Sequence, residues 1–241
     1  MTERLDSIVL HVTRYSDSYS IAQLLTKQRG RISLLLPIGS SPAKRRRAAL
    51  FLPLSQLEIV ANFAAGRDMA TLRESAAIDL HPRVHADPAR SAIAMFVAEV
   101  VARVVQGNED SAALYAFVSQ AVAILDRSPR SPANFHICFL YHLGALLGIR
   151  PDVDTYTEGA SFDMFEGVFT RGGNPSATLL DPDRARALHA ITRITFANYH
   201  LFRFNRDQRH EVVTSILRYY RLHNSTLGSL RSLDVLSQLF A

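Results

Sequence analysis

Residues 7–37, SIVLHVTRYSDSYSIAQLLTKQRGRISLLLP, decide the fold class of the first part of the chain. Residues 7–13, SIVLHVT, are rich in β-branched side chains, which suit a pleated, half-buried surface. Residues 19–26, YSIAQLLT, can lie beside them. Gly30 then interrupts the basic segment TKQRGR, which reads as a hairpin turn between two strands. Residues 31–37, RISLLLP, continue as a third strand as far as Pro37, which has no N–H to give to a ladder. Residues 39–47 are expected to be a loop of small residues and consecutive cations, and residues 51–53, 57–63 and 72–80 supply the other strand candidates. Five or six short strands within about 80 residues predict a small closed barrel, with the OB-fold the leading choice at that size.

The texture changes at His81-Pro82 and Asp87-Pro88. Asp87 is an expected N-cap with Pro88 as the first helical residue, and residues 89–106 carry apolar stripes at helical spacing. Residues 110–126 repeat that pattern, and residues 134–147 are apolar nearly all round, which predicts a central helix. Residues 148–182 lose the periodicity and hold five Gly and three Pro, so an irregular insert or small hairpin is expected. Helices are expected again over 182–197, 206–222 and 230–240. The predicted class is therefore α+β and multi-domain. An OB-fold β-barrel over 1–80 precedes a mainly helical domain over 81–241, with the insert at about 150–182.

The 241 residues are 48% hydrophobic and 20% charged, a balance that supports a real core and argues against a disordered chain. A mean hydropathy of +0.04 argues against a membrane protein. The longest apolar stretch, near 93–105, is interrupted by Glu99 and Arg103, so no bilayer span is expected. The first residues lack the pattern of a secretory leader, and a cytoplasmic location is expected. The single cysteine, Cys138, sits in the apolar run FHICFLYHLGALLGI and reads as a buried structural thiol.

Enzyme chemistry finds little support. The chain has no GxxxxGK[ST] phosphate loop, no GxGxxG after a strand and no GxSxG elbow. His81 and His85 have zinc-like spacing, but Pro82 lies between them, and solvated linker histidines are expected. Asp152, Asp154 and Glu158 read as a solvated acidic loop, lacking the spacing of a calcium loop. His136 and His142, six apart on the central helix, fall on different faces. Neither catalysis nor a cofactor or metal is expected.

Charge is more informative. Residues 1–50 hold nine basic side chains (Arg4, Arg14, Lys27, Arg29, Arg31, Lys44, Arg45, Arg46 and Arg47) and three acidic ones (Glu3, Asp6 and Asp17), a net of +6. The whole chain carries +5, so the entire positive excess lies in its first fifth. Of the 27 cations, 25 are Arg, whose planar fork binds phosphate in a bidentate manner. Arg14, Lys27, Arg29 and Arg31 fall at strand ends or a turn and are expected to converge on one rim of the barrel. Lys44, Arg45, Arg46 and Arg47 are expected to follow a phosphate backbone from a loop. Tyr15 and Tyr19 are the only aromatic residues before Phe51, so base stacking should be sparse. The competing reading is a protein-interaction scaffold whose basic loop merely aids solubility.

The segment SIVLHVTRYSDSYSIAQLLTKQRGRISLL resembles the N-terminal part of the RecO family of bacterial recombination mediators. The tail YYRLHNSTLGSLRSLDVLSQLF resembles its closing helices, especially in the Bacteroidetes-type branch. SAIAMFVAEVVARVV, NFHICFLYHLGALLGIRPDVD, SFDMFEGVFT and ANYHLFRF fit that branch in the expected order. The resemblance implies an OB domain joined to a helical domain, without classical catalysis. It implies binding of single- and double-stranded DNA and annealing of complementary strands. It also implies partnership with RecR and with the acidic C-terminal tail of single-stranded DNA-binding protein, helping to load RecA. By position, Arg14, Lys27, Arg29, Arg31 and residues 44–47 would be DNA contacts. Many relatives carry a four-cysteine zinc site in the segment matching 150–180. This chain has no cysteine there, so packing by Phe162, Phe165 and Phe169 is expected to hold it instead. For the partner tail, an apolar pocket rimmed by cations is expected near Arg127, Arg130, Phe135 and Phe139, with Arg203 and Arg206 around Phe202 and Phe204 as the other group.

Overall fold

The first strand, β1 (Thr2–Arg14), is long enough to serve two neighbours. Its first half pairs antiparallel with β4 (Gln56–Asn62), from Thr2↔Asn62 to Ile8↔Gln56. Its second half pairs with β2 (Tyr19–Thr26), from Ser7↔Thr26 to Arg14↔Ser20. A hairpin through Gly30, at φ 63°, leads into β3 (Gly30–Pro37), and β3 runs parallel to β5 (Met69–Asp79). β5 pairs antiparallel with β4, which closes the five strands in the order β1-β2-β3-β5-β4. That is an OB-like barrel. The period-2 alternation sends Leu5, Val9, Leu24, Leu34, Leu36, Leu57, Ile59 and Leu72 into one core. This computed structural model describes residues 1–64, 69–105, 111–172, 176 and 178–239.

Two expectations for the barrel are corrected. Residues 39–47 are not all loop: Pro42–Ala48 form a helix, α1. Ser41 caps it by accepting from the Lys44 N–H at 3.3 Å, Pro42 opens it, and an Ala/Lys/Arg run with high helix propensity continues it. Residues 51–53 form no strand. The chain turns there through Leu54 at φ 65°, and Phe51 plugs the barrel core at 5% exposure.

The chain divides into two compact units, Met1–Ser128 and Pro129–Ala241. The first contains the barrel together with α2 (Pro82–Ala86), α3 (Pro88–Val104) and α4 (Ser111–Arg127). Asp87 caps α3 as expected, accepting from the Ala89 N–H at 2.9 Å and the Arg90 N–H at 3.2 Å. The expected helix limits at Gln106 and Asp110 lie outside the described residues. His81 is not a solvated linker residue: it is fully buried, in the left-handed region at φ 48°, with Nε2 3.1 Å from Gln56 Nε2. Burial lowers the pKa of His81, which precedes α2, and of His85 within α2. Among the described residues no three His, Cys, Asp or Glu side chains are grouped to hold a metal ion.

The second unit is built on α5 (Phe135–Leu146), which is buried over most of its length. Cys138 lies within it, fully buried, and burial pushes its thiol up to about 12. The insert is a small sheet of β6 (Ser161–Asp163), β7 (Val168–Thr170) and β8 (Leu179–Leu180) in the order β7-β6-β8. Phe162 and Phe169 pair across β6 and β7 with ring centroids 4.8 Å apart. Phe165 takes no part, being 65% exposed at the turn. Gly167 in that turn has φ 74°, and a Cβ there would stand 2.9 Å from the Tyr219 hydroxyl. α6 (Pro182–Ala190) ends before the expected limit at 197 and passes into a 3-10 turn, Ile191–Arg193. α7 (Arg206–His223) and α8 (Ser232–Leu239) complete the unit; the expected end at Phe240 lies outside the described residues. Among the described residues no helix is long and apolar enough to cross a membrane.

Burial, with the Arg209 charge adding to it, lowers His136 from 6.5 to about 3. A histidine that folds in its neutral form favours folding fully above pH 6.5, and that contribution is lost as the pH falls from 6.5 toward 3. The expected slope is about 1.4 kcal/mol per pH unit, or about 2 kcal/mol between pH 6.5 and 5. Urea unfolding at both pH values checks this, with His136→Gln as the variant that should lose about that much of the dependence. An equal slope in that variant would assign the acid sensitivity to other groups.

Candidate nucleic-acid interface

The cations expected to share a rim are divided between the two ends of β2. Arg14 ends β1 beside the β1–β2 turn, whereas Lys27, Arg29 and Arg31 surround the β2–β3 turn. The eight residues of β2 between those turns span about 23 Å at ~3.3 Å per step. One rim therefore does not hold them all, because antiparallel pairing puts consecutive turns at opposite ends of a strand.

Most of these side chains also have intramolecular partners. Arg14 pairs with Asp17 at 2.8 Å. Arg29 holds Glu3 through both Nε and Nη2 at 2.5 Å, and its guanidinium lies 4.5 Å from the Phe63 ring centroid. The hydrogen bonds from Arg29 pull the Glu3 carboxyl below its usual range. Arg31 donates to the Ala102 carbonyl at 2.7 Å, in the last turn of α3. Lys27 is exposed at the turn.

The tetrad on α1 is different. Arg45 and Arg46 are exposed, and Lys44 and Arg47 are half-buried. None of the four side chains makes a hydrogen bond or ion pair among the described residues. Lys44 lies over Gly39, where an added Cβ would meet its Cδ at 3.2 Å. Arg46 and Arg47 turn to a surface groove that Leu50 and Ala43 floor and that Arg73, Glu74 and Ser75 of β5 complete.

Arg73 is the residue that the sequence reading missed. Leu72 pairs with Ala61 and Glu74 with Val60, so Arg73 is the extra residue of a β-bulge. Two adjacent side chains, Arg73 and Glu74, are both exposed as a result. The signal was present in MATLRESAAID, where strict alternation would put Glu74 in the core beside Leu72 and Ala70.

The expected partner-tail group is not a surface site. Phe135 and Phe139 are 1% and 0% exposed, and Phe135 packs edge-on against Tyr199 at 5.6 Å. Both phenylalanines point into the core of the second unit, so neither is a pocket wall for a ligand. Arg127 is exposed in the first unit with Asp79 3.4 Å away, and Arg130 is exposed in the second. Of the other group, Phe202 and Phe204 are half-buried with centroids 5.9 Å apart, and Arg203 and Arg206 are exposed.

Residues 1–81 match the family described as "Recombination protein O N terminal", and residues 85–233 match "Recombination protein O C terminal". The chain belongs to the RecO family. Curated relatives named DNA repair protein RecO agree over the full length. That of Bacteroides fragilis is 34% identical over 100% of both chains, and that of Porphyromonas gingivalis is 36% identical over 97% of both. The Phocaeicola vulgatus protein of the same name is 31% identical over 100% of both. Membership of the RecO family supports a role in DNA repair and recombination, and the OB-like barrel is its N-terminal part.

Proposed function

We propose that the protein is a non-catalytic recombination mediator that binds single- and double-stranded DNA through its barrel and anneals complementary strands. In this reading residues 1–80 act as the DNA-binding domain and residues 81–241 as the helical domain. The protein works in the cytoplasm at the nucleoid, with RecR and the C-terminal tail of single-stranded DNA-binding protein as partners. It thereby helps RecA onto coated strands. The observation that carries the DNA-binding step is the helix α1. It presents Lys44, Arg45, Arg46 and Arg47 with no bond to another described side chain and with no buried residue of its own. A helix with nothing to bury and four uncommitted cations is fitted to release counterions from a polyanion. Arg14, Lys27, Arg29 and Arg31 would add to the positive field more than to direct contacts, since Arg29 and Arg31 are engaged within the protein.

Fluorescence anisotropy with a labelled oligonucleotide, single-stranded and duplex, over a salt titration tests the reading. The expected result is binding whose log affinity falls linearly with log salt, with a slope of about −0.7 per phosphate neutralised on single strands. Absent or salt-insensitive binding would leave the basic helix without its proposed ligand.

A further inference from the structure

We propose that nucleic acid crosses the α1–β5 side of the barrel, where Arg73 completes a phosphate-binding groove with Arg46 and Arg47, and not the β2–β3 face. The proposal rests on the DNA-binding reading above and specifies where on the barrel binding takes place.

The β2–β3 face is where an OB-fold ordinarily receives an oligonucleotide. Here the same compact unit covers it. α4 lies against β1, β2 and β3, and α3 lies against β1. The contacts are specific. Arg31, at the head of β3, donates to the Ala102 carbonyl at the end of α3 at 2.7 Å. A strand laid on that face would have to displace the protein's own helices.

The distribution of uncommitted charge points to the other side. Arg4 pairs with Glu58 at 2.6 Å, Arg14 with Asp17, Arg29 with Glu3, and Arg31 with a carbonyl. Each would have to give up a partner before it could take a phosphate. Lys44, Arg45, Arg46, Arg47 and Arg73 have no side-chain bond among the described residues, and all five stand on α1 or β5. A guanidinium without a partner gives up only water when it binds phosphate, and its fork can engage two oxygens. Alternation after the buried Leu72 turns Arg73 outward beside Arg46 and Arg47, and the bulge adds Glu74 to the same side. Ser75 adds a hydroxyl and Leu50 an apolar floor for a sugar. Glu74, in the same groove, opposes a polyanion and provides a test of opposite sign.

The experiment is the salt dependence of binding to a labelled oligothymidylate by the full chain and by Arg73→Gln, Arg46→Gln, Arg31→Gln and Glu74→Gln. All four sites are exposed, and circular dichroism and thermal melting verify the fold of each variant. Arg73→Gln and Arg46→Gln are each expected to reduce the salt slope by about 0.7 and to weaken binding about fourfold at physiological salt. Glu74→Gln is expected to tighten binding, and Arg31→Gln to lower the slope by less than either groove variant. Wild-type slopes in both groove variants, with a reduced slope in Arg31→Gln, would overturn the proposal and return the path to the β2–β3 turn. Absence of salt-dependent binding by the unsubstituted protein would overturn the proposed function, and the groove with it.

Discussion

Changing Lys44, Arg45, Arg46 and Arg47 together to Ala is expected to cost about a hundredfold in affinity for single-stranded DNA at physiological salt, with a salt slope lower by two to three, at about 0.7 per lost phosphate contact. Annealing of complementary strands should fall in parallel. The folded state should survive the change, because α1 buries none of its residues and alanine is the strongest helix former. The last turn of α1 does lose Arg45, Arg46 and Arg47 from the negative end of its dipole, a loss of about 1 kcal/mol in all at an exposed site. Loss of binding should therefore dominate any loss of stability. Anisotropy and a strand-annealing assay, run beside a melting curve, separate the two. An annealing rate equal to that of the unsubstituted protein at moderate salt would remove α1 from the interface.

Arg90→Met should destabilise the first unit by about 3 kcal/mol, the cost of leaving one buried and one part-buried acceptor bare and of losing a buried guanidinium. Arg90 is only 5% exposed although it stands in the first turn of α3, where a cation opposes the helix's own dipole. Its guanidinium instead serves α4. Nη1 donates to the Leu125 carbonyl at 2.6 Å and Nη2 to the Ser128 carbonyl at 3.0 Å, at the negative end of that helix. Asp87, which caps α3, stands 3.4 Å from Nε and offsets the charge. Methionine can replace the aliphatic stem but supplies no donor. Arg90→Lys should recover only part of the loss, because one ammonium nitrogen replaces the two guanidinium nitrogens that reach the two carbonyls. Urea unfolding of the three proteins checks the order, and a methionine variant as stable as the parent would mean that water satisfies both carbonyls.

Local patterns made much of this architecture readable. β1 covers the β-branched run of residues 7–13, β2 lies beside it over 19–26, and the Gly30 hairpin joins β2 to β3. Asp87-Pro88 marks the start of α3 because a cap and an N1 proline are chemical signals carried by adjacent residues. α1 was equally legible in Ser41-Pro42 followed by good helix formers, but the small residues before it read more strongly as loop. His81 illustrates the opposite case. Pro82 between it and His85 implies an exposed linker, and only the meeting of β4, β5 and α2 buries it against Gln56.

The candidate site divides along the same line. The sequence by itself determined that a barrel stands at the front of the chain, that its positive excess lies within the first 50 residues, and that the helix holding Phe135 and Phe139 is apolar all round. These are properties of composition and period, which short-range order preserves. Apart from Arg14 and its near neighbour Asp17, tertiary structure decided which of these cations are committed. Glu3 and Arg29 are 26 residues apart and Arg31 and Ala102 are 71 apart, and each pair meets only because the barrel closes and α3 packs against it. It alone set Arg73 beside Arg46 and Arg47, since no local rule links a bulge in β5 to a helix inserted between β3 and β4. The physical reason is that net charge is a sum over residues, whereas the charge a ligand meets is what remains after long-range ion pairing.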